Sequence, residues 1–254
     1  MLKIYLVQME PEPLEKERNF EKVRTLVSSA HPEPDGLIAL PEMFATGYIP
    51  ENVDKASESF EAPAPGITTA FLAGLARETR CTVIGGGIRK KDGRYMNHSG
   101  IFCGEDTESA GYDKLRTFFM EKDSISTGND ITLFKKSEFT IATTICYDLR
   151  FPEIYRKATR EGATLFTVQA AWPAKRVFHW ETLLRARAIE NQAFVAAVNC
   201  VSHDGTYSGN SMIIDPYGNT VASAKTGTEC VICAEIDNEI VARYRKDFPV
   251  LADA

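Results

Sequence analysis

Apolar positions recur along this chain with two periods that take turns. The opening run KIYLVQM alternates apolar positions, and 3–8 reads as a strand. Over 14–30 the apolar residues Phe20, Val23, Leu26 and Val27 fall three and four apart, which predicts a helix with one buried stripe. A short apolar strand over 36–40 follows, then a helix over 67–80 and a strand over 81–88. Strands over 95–103 and 108–112, joined by 104–107 and preceded by the turn residues Asp92 and Gly93, read as antiparallel. Further strands are expected over 131–134, 139–145, 164–169, 193–200, 211–215, 219–223 and 229–236, with a turn at 215–218. Helices are expected over 152–161, where Pro152 suits a first helical position, and over 177–192, with Trp180, Leu183, Leu184 and Ala188 on one stripe. No repeat, low-complexity tract or linker interrupts this alternation, so residues 1–254 read as a single domain: two sheets with helices outside, a layered α/β arrangement.

Composition narrows the function classes. An apolar content of 44% and a charged content of 25% are those of an ordinary globular protein. The net charge of -6 opposes non-specific binding to nucleic acid or to anionic membranes, both of which need a basic face. No apolar stretch is long enough to span a bilayer, and the first residues run straight into acidic ones rather than into a secretory signal. The expectation is a cytoplasmic protein with neither nucleic acid nor membrane as partner. The six cysteines, at 81, 103, 146, 200, 230 and 233, are dispersed in apolar runs, as suits reduced thiols. Cys230 and Cys233 have CxxC spacing, but on a strand such positions face opposite sides. The histidines His31, His98, His179 and His203 show no ligand spacing, so neither metal nor cofactor is expected.

Among these cysteines Cys146 stands apart. The β-branched run FTIATTI stops at it, and YDLRFP leads into a helix. A strand-to-helix elbow exposes a nucleophile, aims backbone N–H groups at a developing oxyanion and, through the helix N-terminus, lowers a thiol pKa. From this segment alone, a buried, inert cysteine at a strand end is the stronger reading. Glu42 ends another apolar strand in LIALPEMFATGY, where a carboxylate is costly unless paired or working as a base. An exposed loop carboxylate is the alternative. Lys114, in GYDKLRTFF, is either a snorkelling surface group or, near a thiol, a stabiliser of thiolate and oxyanion.

LPEMFATGY, YDKLRTFF and ICYDLRFPE, in that order, resemble the three catalytic segments of the nitrilase superfamily of carbon–nitrogen hydrolases, and the likeness runs from KIYLVQM to YRKDFPV. The resemblance implies a four-layer α-β-β-α sandwich, usually dimeric across its helical faces. It also implies Glu42 as general base, Lys114 as oxyanion stabiliser and Cys146 as nucleophile, with the Tyr147 backbone N–H as second oxyanion donor. A further family glutamate best matches Glu121, although the segment between lysine and glutamate is shorter than usual and Arg116 stands where many relatives have histidine. No metal is required for this chemistry.

The segment AWPAKRVFHWETLLRARAIENQAFVAAVN resembles the ω-amidase branch, whose members hydrolyse the terminal amide of α-keto acid amides such as α-ketoglutaramate. Such a substrate carries a carboxylate, for which a guanidinium is the natural bidentate partner. Arg176 is the candidate, with Lys175 and Arg150 in reserve, and a surface or interface role for Arg176 is the alternative. Trp172, Phe118 and Tyr48 are expected to wall the pocket, and His179, Trp180, Glu190 and Asn191 to be structural. Two competing readings are an amidase acting on N-carbamoyl compounds or deaminated glutathione, and a catalytically silent binding protein on the same fold.

Overall fold

A computed structural model describes residues 1–105 and 107–253. Asp106, within the expected 104–107 connection, lies outside the described residues, as does Ala254. The elements in chain order are β1 (Leu2–Gln8), α1 (Lys16–Ala30), β2 (Leu37–Ala39), α2 (Val53–Ala56), α3 (Ile67–Thr79), β3 (Thr82–Lys91), β4 (Arg94–Phe102) and β5 (Ala110–Asp113). The second half comprises β6 (Leu133–Lys136), β7 (Phe139–Ile145), α4 (Pro152–Arg160), β8 (Leu165–Ala170), α5 (Val177–Asn191), β9 (Phe194–Asn199), β10 (Met212–Ile214), β11 (Thr220–Ser223), β12 (Cys230–Ile236) and α6 (Asn238–Asp247).

Two six-stranded sheets result, ordered β12-β1-β2-β3-β4-β5 and β11-β10-β9-β8-β7-β6. Each has a parallel centre, β1-β2-β3 in one and β7-β8-β9 in the other, flanked by antiparallel strands. A parallel centre forces a crossover on one face, and here the crossovers are helical. Because side chains alternate along a strand, β1 sends Leu2, Ile4 and Leu6 one way and Tyr5 and Val7 the other. The first set packs with Ile141, Leu165, Phe194 and Val198 between the sheets. The second meets Phe20, Val23, Phe71 and Leu72 of α1 and α3. A third apolar layer joins Phe166, Val168, Val195 and Ala197 to Tyr155, Trp180, Leu184 and Ala188 of α4 and α5. Three apolar layers between four layers of secondary structure make the α-β-β-α sandwich that the resemblance implied.

β12 contains both Cys230 and Cys233, and their thiols are free. No helix among the described residues is long and apolar enough to cross a membrane.

Candidate active site

The ends of the two parallel centres bring the expected residues together. Glu42 follows β2 by three residues, and the chain turns at once through Met43 and Gly47, whose φ angles of 50° and 69° are left-handed. Its carboxylate is buried and fully engaged. Oε1 accepts hydrogen bonds from Lys114 Nζ at 2.8 Å and Asn97 Nδ2 at 2.7 Å, and Oε2 accepts the backbone N–H of Ala171 at 2.8 Å. Ala171 follows β8 in the opposite sheet, so Glu42 ties the two sheets together.

Lys114 is the first residue beyond β5, and no part of its side chain is exposed. Nζ also donates to Glu121 Oε1 at 2.9 Å. Burial works against the ammonium, but the charges of Glu42 and Glu121 outweigh it, so Lys114 stays protonated well above its usual range. Glu121 is buried in its turn, and its Oε2 takes the Phe118 N–H at 2.6 Å. The shortened lysine–glutamate segment is therefore long enough to bring Glu121 against Lys114.

Cys146 directly follows β7 with φ at 44°, a left-handed elbow unusual for a residue with a side chain. Asp148 holds this elbow. Its Oδ2 accepts the Ile145 N–H at 3.1 Å and the Tyr112 hydroxyl at 2.7 Å, and its Oδ1 accepts the Arg116 N–H at 2.8 Å. Burial raises the Asp148 pKa to about 6 against these hydrogen bonds. The thiol departs from the sequence expectation. A five-residue 3-10 turn, Cys146–Arg150, follows it, and α4 begins only at Pro152. Burial and the negative charge of Glu42 push the Cys146 thiol well above its usual range, and Lys114 only partly offsets them. Burial and the charge of Glu42 thus oppose the thiolate, where the sequence led us to expect a helix N-terminus to favour it.

Above these groups lies a cavity of about 550 Å³ lined by Lys114, Cys146 and Tyr147 and by all four expected pocket residues, Tyr48, Phe118, Trp172 and Arg176. Arg150 and Lys175 line it as well. The Arg176 guanidinium lies over the Phe118 ring at 5.7 Å and that of Arg150 over the Trp172 ring at 4.6 Å. Burial and the neighbouring charge of Arg176 lower the Arg150 pKa. Among the described residues no carboxylate pairs with Arg150, Lys175 or Arg176, so the mouth carries unspent positive charge within an acidic protein.

The sequence reading missed the residues that hold the others. Asn97 bridges Glu42 and Glu121. Asp148 straps the elbow, and Asn199 accepts the Trp172 N–H at 2.7 Å and donates to its carbonyl at 3.1 Å. A polar residue inside an apolar strand, as in YMNHSGIF, was the available signal for Asn97. As expected, Trp180 and Asn191 are structural: Trp180 is buried and donates to the Asn210 carbonyl at 2.8 Å, and Asn191 donates to the Arg187 carbonyl.

The carbon-nitrogen hydrolase family model matches residues 3–246. The chain belongs to that family, and it is an amide-hydrolysing enzyme. It is 33% identical to the 2-oxoglutaramate amidase of Bacillus subtilis (strain 168) over 240 residues, covering 92% of this chain and 90% of that protein. It is 30% identical to the omega-amidase NIT2 of Xenopus tropicalis, with 98% and 93% covered. Its fold is similar to that of XC1258 from Xanthomonas campestris, a superfamily protein with an arsenic adduct in the active site. The TM-score is 0.90 at 29% identity, covering 100% of this chain and 97% of that one. Saccharomyces cerevisiae Nit3, a member of branch 10 of the nitrilase superfamily, superposes with a TM-score of 0.88 at 29% identity, with 98% and 94% covered.

Proposed function

We propose that this enzyme is an ω-amidase that releases ammonia from the terminal amide of a small α-keto acid amide such as 2-oxoglutaramate. The carrying observation is one buried lysine held by two carboxylates, Glu42 and Glu121, at the floor of a cavity that also exposes Cys146 and has unpaired guanidinium groups at its mouth. The relatives named for this activity match over nearly the whole chain, which supports the same reading.

Chemistry follows from the arrangement. Glu42 takes the thiol proton as Cys146 Sγ attacks the amide carbon, and the oxygen becomes an anion facing Lys114 and the Tyr147 N–H. Collapse breaks the carbon–nitrogen bond, with Glu42 returning its proton to the departing nitrogen as ammonia. Water then attacks the thioester while Glu42 accepts its proton. The carboxylate product leaves, and the thiol is restored. Glu121 holds Lys114 in place and so keeps its charge at the oxyanion. Arg176, with Arg150 beside it, binds the substrate carboxylate, and Trp172, Phe118 and Tyr48 enclose the carbon chain.

Arg176→Lys tests the substrate class, because it keeps charge but loses the planar fork. A hydrogen bond to a charged partner is worth about 1.5–3 kcal/mol, so kcat/KM on 2-oxoglutaramate falls about 10- to 150-fold. Ammonia release from a small amide without a carboxylate stays near wild type. Equal losses on both substrates would make Arg176 structural.

The proposal includes a homodimer. Its support is an apolar outer surface of exposed Ile189, Tyr217 and Phe248, with Tyr217 against Tyr244 at 4.2 Å. Sedimentation of wild type against Tyr217→Glu tests it; a wild-type monomer at micromolar concentration would end it.

A further inference from the structure

Asn97 lies on β4, next to the rung His98↔Asp113. The Lys114 N–H donates to the Asn97 carbonyl at 2.9 Å, which makes Asn97 and Lys114 the following rung. Alternation along the strands sends the two rungs to opposite faces. His98 meets Asp113 at 2.7 Å and Glu108 at 2.8 Å on one face, and Asn97 and Lys114 converge on the two glutamates on the other.

There the donors and acceptors close a ring. Asn97 Nδ2 donates to Glu42 Oε1 at 2.7 Å and to Glu121 Oε1 at 2.9 Å. Lys114 Nζ donates to the same two oxygens at 2.8 and 2.9 Å. Two buried carboxylates thus share one cation, and Asn97 gives each of them a second donor from a neutral group. The Asn97 carbonyl oxygen is buried with no hydrogen-bond partner among the described residues. The side chain thus leaves its acceptor idle while its amino group serves both glutamates, since the reverse orientation would set oxygen against two carboxylates.

We propose that Asn97 is a positioning residue for amide hydrolysis: with Lys114 it holds Glu42 and Glu121 as a fixed, charged pair and so aims Glu42 at the thiol of Cys146. The proposal rests on the roles given above for Glu42 and Cys146. Asn97 does not line the cavity, so its effect falls on turnover and not on substrate binding.

The test compares wild type with Asn97→Leu and Asn97→Asp by pH-dependent kinetics and by the pH-dependence of Cys146 alkylation with iodoacetamide. Asn97→Leu lowers kcat about 10- to 100-fold and leaves KM within about threefold. It slows Cys146 alkylation by a similar factor, because Glu42 is no longer held toward the thiol. Asn97→Asp is slower still at neutral pH and recovers as pH falls, when a protonated carboxyl again offers an O–H. A merely structural role would lower the melting temperature without slowing alkylation, and that outcome overturns the proposal. So does a folded Asn97→Asp whose rate relative to wild type is the same at every pH, which decides the matter if the leucine variant does not fold. Alkylation needs no substrate. A wild-type enzyme that is alkylated yet hydrolyses no keto acid amide therefore refutes the substrate reading and leaves the Asn97 comparison standing.

Discussion

Cys146, Glu42 and Lys114 differ in what their removal leaves behind. On the proposed mechanism Cys146→Ala removes the attacking sulfur, and hydrolysis is expected to vanish while the fold persists. Cys200→Ala and Cys233→Ala retain activity; ammonia release near the wild-type rate from the Cys146 variant would refute the mechanism. Glu42→Gln and Lys114→Ala each lower kcat at least ~100-fold, the scale for losing a positioned base or an oxyanion donor. Lys114→Ala also strands two buried carboxylates, so it costs about 3–5 kcal/mol of stability, and its turnover must be read per folded molecule. On the proposed mechanism Lys114 supplies the positive charge at the reacting carbonyl, so activity is expected to survive EDTA. Loss under chelation with recovery on adding zinc would show the site misread.

Among the elements, the elbow and the last helix show how local sequence and distant contact divide the work. Asp148 accepts three hydrogen bonds from three segments: its own elbow, the Tyr112 hydroxyl on β5 and the loop after Lys114. Asp148→Asn turns an amino group toward at least one backbone N–H, so the expected result is a lower melting temperature together with slower Cys146 alkylation. A variant with unchanged alkylation kinetics would remove Asp148 from the account of the elbow. Apolar periodicity revealed neither the four-residue α2 nor the longer α6. Only Val241 of α6 is buried, so α6 lacks the stripe that marks α1 and α5. Its signal was at its end: Asp237 caps the Glu239 N–H at 3.0 Å.

For the molecule as a whole, His98 makes stability depend on pH. Burial alone would lower its pKa, but hydrogen bonds to Asp113 and Glu108, with their charges, more than reverse this and raise it. A raised folded-state pKa contributes stability that is fully present below the unfolded value, near 6.5, and is lost as pH rises through the folded value. The stability difference between wild type and His98→Gln, measured by urea denaturation, therefore shrinks as pH rises above 6.5. A difference constant from pH 6 to pH 9 would contradict this.

The chain by itself determined the alternation of strand and helix, because apolar period is a local property. β7 begins and ends where FTIATTI does, and the three motif segments named Glu42, Lys114 and Cys146 through their order along the chain. Glu121 and the pocket walls were also legible from that resemblance. Tertiary structure alone decided what surrounds the thiol, since burial and the carboxylate of Glu42, from beyond β2, oppose the thiolate that a helix N-terminus was expected to favour. It alone revealed Asn97 as a bridge, because Glu42, Asn97 and Glu121 are 55 and 24 residues apart along the chain and meet only when β2, β4 and β5 line up in one sheet. Hydrogen bonds over such separations leave no periodic trace in sequence; they exist only where strand register has already brought the partners face to face.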